Sequence, residues 1–573
     1  MSSPTGGNGP TYNDPNSNPL YVLMTLHGED QDSNRKDWNA WIGQALTSVD
    51  REAVASSSGI DPEELDRWSE LGDGVEAKFK SEWQKRNQPQ PCPELPDPRL
   101  GIDLSNVSFE ADTPCNSKGF IFTRCSFRNC QFRSESDFSN AVFLEHADFL
   151  NALFVERASF ESTEFARGAR FREAKFLRGA LFETVRASSV VKSFQFLGFE
   201  GAEFGRSSEQ NGDISDAGST EFRRVSFDCN TFFNGTKFYH DLVVRECEFN
   251  YNTVFTEAAF LGGLIVADTK FSRSTNFANA RFMGETGFYG TVFEGTANFR
   301  SSIFRSCCIF RGGRFGNRAV FDKVCFNDVV TFHAVTFSGR CHFVETEFGS
   351  PETSGPCWSD FTDSVFMEPA SFREARFRIR YPTLTGTLLH ERTYFTADAR
   401  CWPVADNRYA RRPGFRCDRK QRIGALAAAR ENCAIIRHNL ASQGLPDSSH
   451  FFFRREMRFA MQAASISQKI LYGPYALLSD FGNSVCRPVI GFLAVVIAFA
   501  IIFHCLQPDP GPECPEAIER SLLNALSPFG SIGQYFPNCT PNQWPLLSTT
   551  QTILSYVALF LVGLGLRQRF RLR

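Results

Sequence analysis

Over the middle of the chain the hydrophobic positions follow neither the helical nor the simple strand period. Phenylalanine falls at Phe277, Phe282, Phe288, Phe293, Phe299, Phe304, Phe310, Phe315, Phe321, Phe326, Phe332, Phe337, Phe343 and Phe348, so its steps alternate five and six without a miss. Two residues before each Phe stands a small or β-branched residue, as at Thr275, Ala280, Thr286 and Thr291. A spacing of two on one face requires extended backbone, with both side chains inward and the residue between them outward. The pattern therefore predicts an eleven-residue repeat that builds a narrow prism. Phe fills its middle, and the extra residue of each longer step sits at a corner.

The same alternation runs from Phe138 to Phe182, and the array begins near Leu104 and Phe109. Residues 101–380 are assigned to it. Two polar excursions, 205–221 and 349–360, interrupt the register, which resumes after each. They read as loops from coil corners, and loops on a rigid scaffold are candidate recognition sites.

The flanks carry other periods. Residues 1–20, rich in Gly, Asn, Ser and Pro, are expected to be a disordered leader. Residues 21–100 form a helical segment closed by a stiff Pro-rich linker at 88–98. Trp38 and Trp41 share one helix face there. Asp61 caps a second helix running to Lys85, with Pro62 in its first turn. Helices at this end suit a cap, because a terminal coil exposes its Phe layer and an unpaired strand edge. At the other end, residues 381–475 form a neck: an irregular stretch, then helices over 417–442 and 447–468, the second capped by Asp447 or Ser448.

Residues 488–506 and 545–566 are apolar and long enough to cross a bilayer. Arg487 precedes the first, and Arg567, Arg569, Arg571 and Arg573 follow the second, in a basic tail over 567–573. The intervening loop, 507–544, carries Asp509, Glu513, Glu516 and Glu519. The positive-inside rule then puts the array and both termini in the cytoplasm and the loop outside. Within that loop Cys514 and Cys539 are candidates for a disulfide in an oxidising compartment, and Ala517–Leu526 reads as an interfacial helix. Ser548 to Thr552 can line a pore or hydrogen-bond to a neighbouring helix.

The segment Phe165-Ala-Arg-Gly-Ala-Arg-Phe171-Arg-Glu-Ala-Lys-Phe176 resembles the pentapeptide-repeat family in its phenylalanine-centred form. The resemblance implies a mainly β fold, a right-handed quadrilateral β-helix with about 22 residues per coil. The array then makes a rod of about ten coils and about 50 Å. The run Phe451-Phe-Phe-Arg-Arg-Glu-Met457 is similar to the helical hairpin of membrane-attached members, and such a protein is expected in a bacterial inner membrane. The complete expectation is that β-helix with an N-terminal helical cap, a C-terminal helical hairpin and two transmembrane helices.

Composition narrows the function. The chain has 573 residues, 60 of them Phe, and a net charge of −3, so bulk charge predicts no nucleic-acid partner. Some members of the family mimic DNA with an acidic surface and bind DNA gyrase. Here the outward charges are mixed, with Arg167, Arg170, Lys175 and Arg178 set against Glu156, Glu161, Glu164 and Glu173, which disfavours a topoisomerase-binding mimic. The 18 Cys show no CxxC pair or zinc spacing and are expected as reduced, buried thiols. No catalytic, metal or cofactor motif is found, so no enzyme activity and no cofactor are expected. The chain reads as a membrane-anchored scaffold that binds a protein partner. The alternative is an oligomeric, channel-like protein assembled through the hairpin.

Overall fold

In the computed structural model the chain is described over residues 12–187, 196–205, 218–349, 357–406, 409, 419–506, 516–526 and 545–570. It divides into two compact units, one running to Thr396 with 400–402, the other comprising 397–399 and 403–573.

The five–six alternation closes into four-faced coils. Each face is a parallel sheet, with 13, 12, 10 and 11 strands among the described residues, and most strands are only two residues long. This gives about a dozen coils, more than the ten expected from sequence. Neighbouring strands are offset by one coil: Thr275 pairs with Ala297 and Ala297 with Ala319. Phe therefore stacks on Phe, with near-parallel rings 4.9 Å apart for Phe277 on Phe299 and 5.0 Å for Phe299 on Phe321. The fourteen Phe from 277 to 348 are all buried.

The two kinds of step make two kinds of corner. A five-residue step turns through a β-turn closed onto the preceding Phe, as in Ala280 N–H to Phe277 C=O at 3.1 Å. Its third residue is left-handed: Asn279, Ser301, Lys323 and Glu345 have φ of 57–59°. Such a backbone costs a non-glycine residue about 1 kcal/mol, recovered by coil closure. The six-residue step takes the other corners, where its extra residue sits.

Three departures were not legible in the Phe count. The first is a third excursion: Ala169 pairs with Leu197, so this coil is longer than its neighbours, and residues 188–195 lie outside the described part. The second is a swap on the third face. Leu242 and Val244 pair with Leu264 and Val266, and these stand where Thr286 and Phe288 stand one coil on. A larger residue at the small position and a smaller one at the Phe position nearly conserve volume. The third is the end of the array. Beyond Phe377 the chain makes a further coil, with Phe361 N–H on Thr383 C=O and Phe395 stacked 4.8 Å from Phe372. Trp402 then lies 4.7 Å over Phe377.

The N-terminal segment is more broken than expected: α1 Pro19–Met24, α2 Gln31–Gly43, α3 Ser48–Ser58, α4 Pro62–Asp66 and α5 Trp68–Asn87. Asp61 does cap α4, but that helix ends at Arg67. Residues 12–20, expected as disordered leader, are ordered. Asn13 bridges to Val107 on the open strand edge, and its N–H donates to Asn106 C=O at 2.7 Å. The Pro-rich stretch is a strap over the helices, since Trp41 and Trp83 indole N–H groups donate to Pro96 and Pro91 carbonyls. His27 Nε2 lies 2.6 Å from Asp37 and Lys78 Nζ 2.5 Å from His27 Nδ1, which ties α5 to α2.

The cap seals the first coil through α2. Asn39 Nδ2 donates to Gly119 C=O, Ile121 N–H donates to Asn39 Oδ1 at 2.9 Å, and Trp38 Nε1 donates to Ile121 C=O at 2.8 Å. The side-chain amide thus replaces a missing neighbour strand, while the Trp38 ring covers Phe120 and Phe122.

The second unit is helical: α6 Arg419–Ser442, α7 Pro446–Ala463, α8 Ile466–Ser479, α9 Cys486–Leu506, α10 Ala517–Leu526 and α11 Pro545–Phe570. Neither Asp447 nor Ser448 caps α7. Leu445 is its N-cap and Pro446 its first residue, so the helix is capped two or three residues earlier than expected. The expected helix to Gln468 is split, because Ala464 is extended and Ser465 opens α8 with a capping box.

Candidate functional site

The charged residues of the run at 451–457 are all engaged. Glu456 pairs with Arg437 of α6 at 2.8 Å, and the buried Arg455 donates to Pro403 C=O at 2.6 Å. Arg454 and Arg458 both pair with Asp480, the left-handed residue that ends α8. Burial pulls the Arg454 pKa down, against the opposing pull of Asp480. This is a clamp that fixes α7 against the turn before α9.

Helices α9 and α11 are apolar and 21 and 26 residues long. Most of their apolar surface faces outward: Ile490, Leu493, Ile497 and Ile501 on α9, and Ile553, Leu554, Val557 and Phe560 on α11 are exposed. At 1.5 Å per residue α9 matches the roughly 30 Å hydrocarbon core. A Cβ on Gly565 would lie 3.1 Å from Val485, so the end of α11 and the start of α9 are adjacent. Arg487 and Arg567 are exposed near that shared end. Arg569 falls in the last turn of α11, but its side chain, like Arg571 and Arg573, lies outside the described residues. Cys514 and Cys539 also lie outside them.

Between α9 and α11 sits α10. The expected interfacial helix is present, but its polar side faces inward. Ser521 is fully buried and its hydroxyl donates to Val496 C=O of α9 at 2.7 Å. Gln551 of α11 donates to Ser521 C=O at 2.8 Å and receives Asn524 Nδ2. Thr552 donates to Asn524 C=O at 3.1 Å. The outward side of α10 is Ile518, Leu522 and Leu526, all exposed. Of the two roles open to the 548–552 cluster, Gln551 and Thr552 take the hydrogen-bonding one.

On the solenoid outward charges pair between neighbouring coils. Arg178 meets Glu156 at 2.7 Å, Lys323 meets Glu345 at 3.6 Å, and Glu203 is held by Lys237 at 3.0 Å and Lys175 at 3.5 Å. Burial pushes the Glu203 carboxyl up, but the two lysines win and hold it below the ordinary value. Of the two excursions, residues 206–217 and 350–356 lie outside the described part. The inward thiols are buried: burial pushes Cys130, Cys229 and Cys247 up to about 12. Among the described residues no group of three His, Cys, Asp or Glu could hold a metal ion.

No curated protein matches the chain. Residues 118–164 match the family of pentapeptide repeats (9 copies). The coils before and after that segment keep the same four faces and the same stacking. The chain is therefore built on a pentapeptide-repeat β-solenoid, followed by helices of which two are apolar enough to span a membrane.

Proposed function

We propose that this protein is a membrane-anchored scaffold. Its solenoid and both termini lie in the cytoplasm, and its outward solenoid surface, with the excursions at 205–221 and 349–360, binds a protein partner without catalysis. The observation that carries this reading is the contrast between two surfaces. The solenoid encloses its Phe layer, whereas α9 and α11 leave most of their apolar side chains uncovered. Water would not tolerate two such helices side by side, and lipid would. Arg487 and Arg567 at one shared end support that end facing the cytoplasm.

The test compares the full-length chain with one ended before Cys486. The full chain should resist alkaline extraction from membranes, the shortened chain should be soluble, and both should crosslink the same protein. A full chain that alkali extracts overturns the anchor. Loss of the partner on shortening moves binding to the hairpin.

A second reading, an oligomeric channel-like protein, is favoured by α10, a short helix seated by hydrogen bonds against two spans. Ion flux through liposomes holding the full-length chain supports it, and tight liposomes dismiss it. The paired surface charges disfavour binding to a topoisomerase as a DNA mimic, because they leave no continuous negative field.

A further inference from the structure

Helix α8 carries an apolar stripe that no other part of the described chain covers. Ile466, Ile470 and Leu477 are 83%, 73% and 76% exposed. With Gly473 they recur at intervals of four, three and four, which puts all four on one narrow line along the helix. Ser467, Gln468, Lys469 and Pro474 are exposed as well, and the C-terminal half of the helix is engaged on its other side. Leu478 lies 3.6 Å from where a Cβ on Gly491 of α9 would be, and Tyr475 packs its ring 5.4 Å from Phe481. The buried Ser479 donates to Tyr475 C=O at 2.8 Å. Asp480, which ends the helix, is clamped by Arg454 and Arg458 of α7. The helix is thus held in one orientation, and that orientation turns the stripe outward.

Three features say what covers it. The stripe ends nine residues before α9, on the helix packed against the first turns of that span. The outward surface of α9 starts with exposed Val489, Ile490 and Leu493, so apolar surface continues from one helix to the next. Exposed Lys469 borders the stripe, and exposed Arg487 and Arg567 mark the end of the two spans nearest to it. A cation beside an apolar line is the pattern of a helix lying in a bilayer surface, with its apolar side sunk below the headgroups and its basic residues on phosphate.

We infer that α8 is an interfacial helix whose Ile466–Ile470–Gly473–Leu477 stripe docks on the leaflet that α9 enters, with Lys469, Arg487 and Arg567 favouring anionic headgroups. The inference rests on the reading of α9 and α11 as membrane spans. Through Asp480 the clamp of α7 and the start of the spans are joined by the same helix.

The test uses the full-length protein in phosphatidylcholine vesicles with and without phosphatidylglycerol. An environment-sensitive fluorescent amino acid is placed in turn at Ile470, at Leu477 and at the exposed Glu431 of α6. At Ile470 and Leu477 the emission should shift to the blue and be quenched by lipids brominated high on the acyl chain, and phosphatidylglycerol should increase the quenching. At Glu431 neither should occur. A protein that resists alkaline extraction while the Ile470 and Leu477 probes stay unquenched overturns the inference and leaves the anchor standing. A blue shift without lipid quenching, together with crosslinking between chains, assigns the stripe to a second copy and also overturns it. A protein that alkali extracts removes the anchor and this inference together.

Discussion

A buried hydroxyl in this solenoid has a different value on different faces. After a five-residue step the small position lies over the carbonyl of the coil below: Thr291 donates to Val266 C=O at 3.1 Å and Thr346 to Phe321 C=O at 2.6 Å. In a six-residue step the same side chain does not reach the neighbouring coil: Thr231 and Thr286 donate only to carbonyls two residues back at 3.4 Å, and the buried Thr253 and Thr275 hydroxyls have no partner. Thr275→Val should then stabilise the protein by about 1 kcal/mol, and Thr291→Val should cost about 1 kcal/mol, since only the second gives up a hydrogen bond. Thermal unfolding of the two variants checks the sign, and equal shifts would remove the distinction between faces. The Phe position is simpler. Phe310 is 2% exposed and stacks on rings 4.8 Å and 4.9 Å away, while Arg311 points into solvent. Phe310→Ala should cost about 3–5 kcal/mol and Arg311→Ala under 0.5 kcal/mol or so. The Phe ladder was legible because one side chain repeats with one period. The hydroxyl rule was not, because Thr, Ser, Ala and Cys fill that position interchangeably and only the corner geometry separates them.

At the scale of elements, the helices that matter act through polar side chains placed where backbone partners run out. Asn39 stands in for a strand on the first coil. Replacing it with Leu leaves Ile121 N–H and Gly119 C=O buried without partners, at about 1–3 kcal/mol for each. Asn39→Leu should therefore lower the melting temperature and expose an edge that pairs between molecules, seen as concentration-dependent association in light scattering. Trp38 and Trp41 were visible on one face, but nothing in the pattern marked Asn39, one of the two residues between them, as important. A side-chain amide announces itself as a strand mimic only when a strand edge is beside it. The same holds for Gln551 in α11, which hydrogen-bonds to Ser521 and Asn524 of α10. Its place in the polar cluster from Ser548 to Thr552 was visible, and its partners, 30 and 27 residues away, were not. Gln551→Leu should free α10, at a cost of about 1–2 kcal/mol. The gain in protease cleavage near Ala517 measures it. Thr550→Leu, at an exposed position whose hydroxyl bonds only within its own helix, should leave cleavage unchanged.

At the scale of the whole solenoid, coils touch only their neighbours, so the molecule could unfold coil by coil or as one body. Phe stacks that run unbroken along two of the four faces, from Phe127 to Phe395 and from Phe109 to Phe377, favour one body, because opening any internal coil breaks the ring contacts on both sides of it. The cysteines report which occurs. Cys130, Cys229, Cys308 and Cys341 lie on coils spread along the array, and all four are buried. Burial holds Cys130 and Cys229 up to about 12 and the other two well above 9. A thiol reacts as its thiolate, so none of the four should be alkylated in the native protein at pH 8, whereas the exposed Cys486 should be in detergent. On heating, one-body unfolding makes all four reactive over the same temperature interval, and a separate transition for Cys130 would show that the excursion at 205–221 divides the rod into two units. The same burial sets the response to alkali. Above pH 9 the unfolded chain gives up thiol protons that the folded chain keeps, so the stability these groups leave intact below pH 9 falls as pH rises through that value. Replacing Cys308 and Cys341 with Ala, the residue found at equivalent positions in other coils, should flatten that alkaline decline. If the slope above pH 9 is unchanged in the double variant, the buried thiols are not its cause.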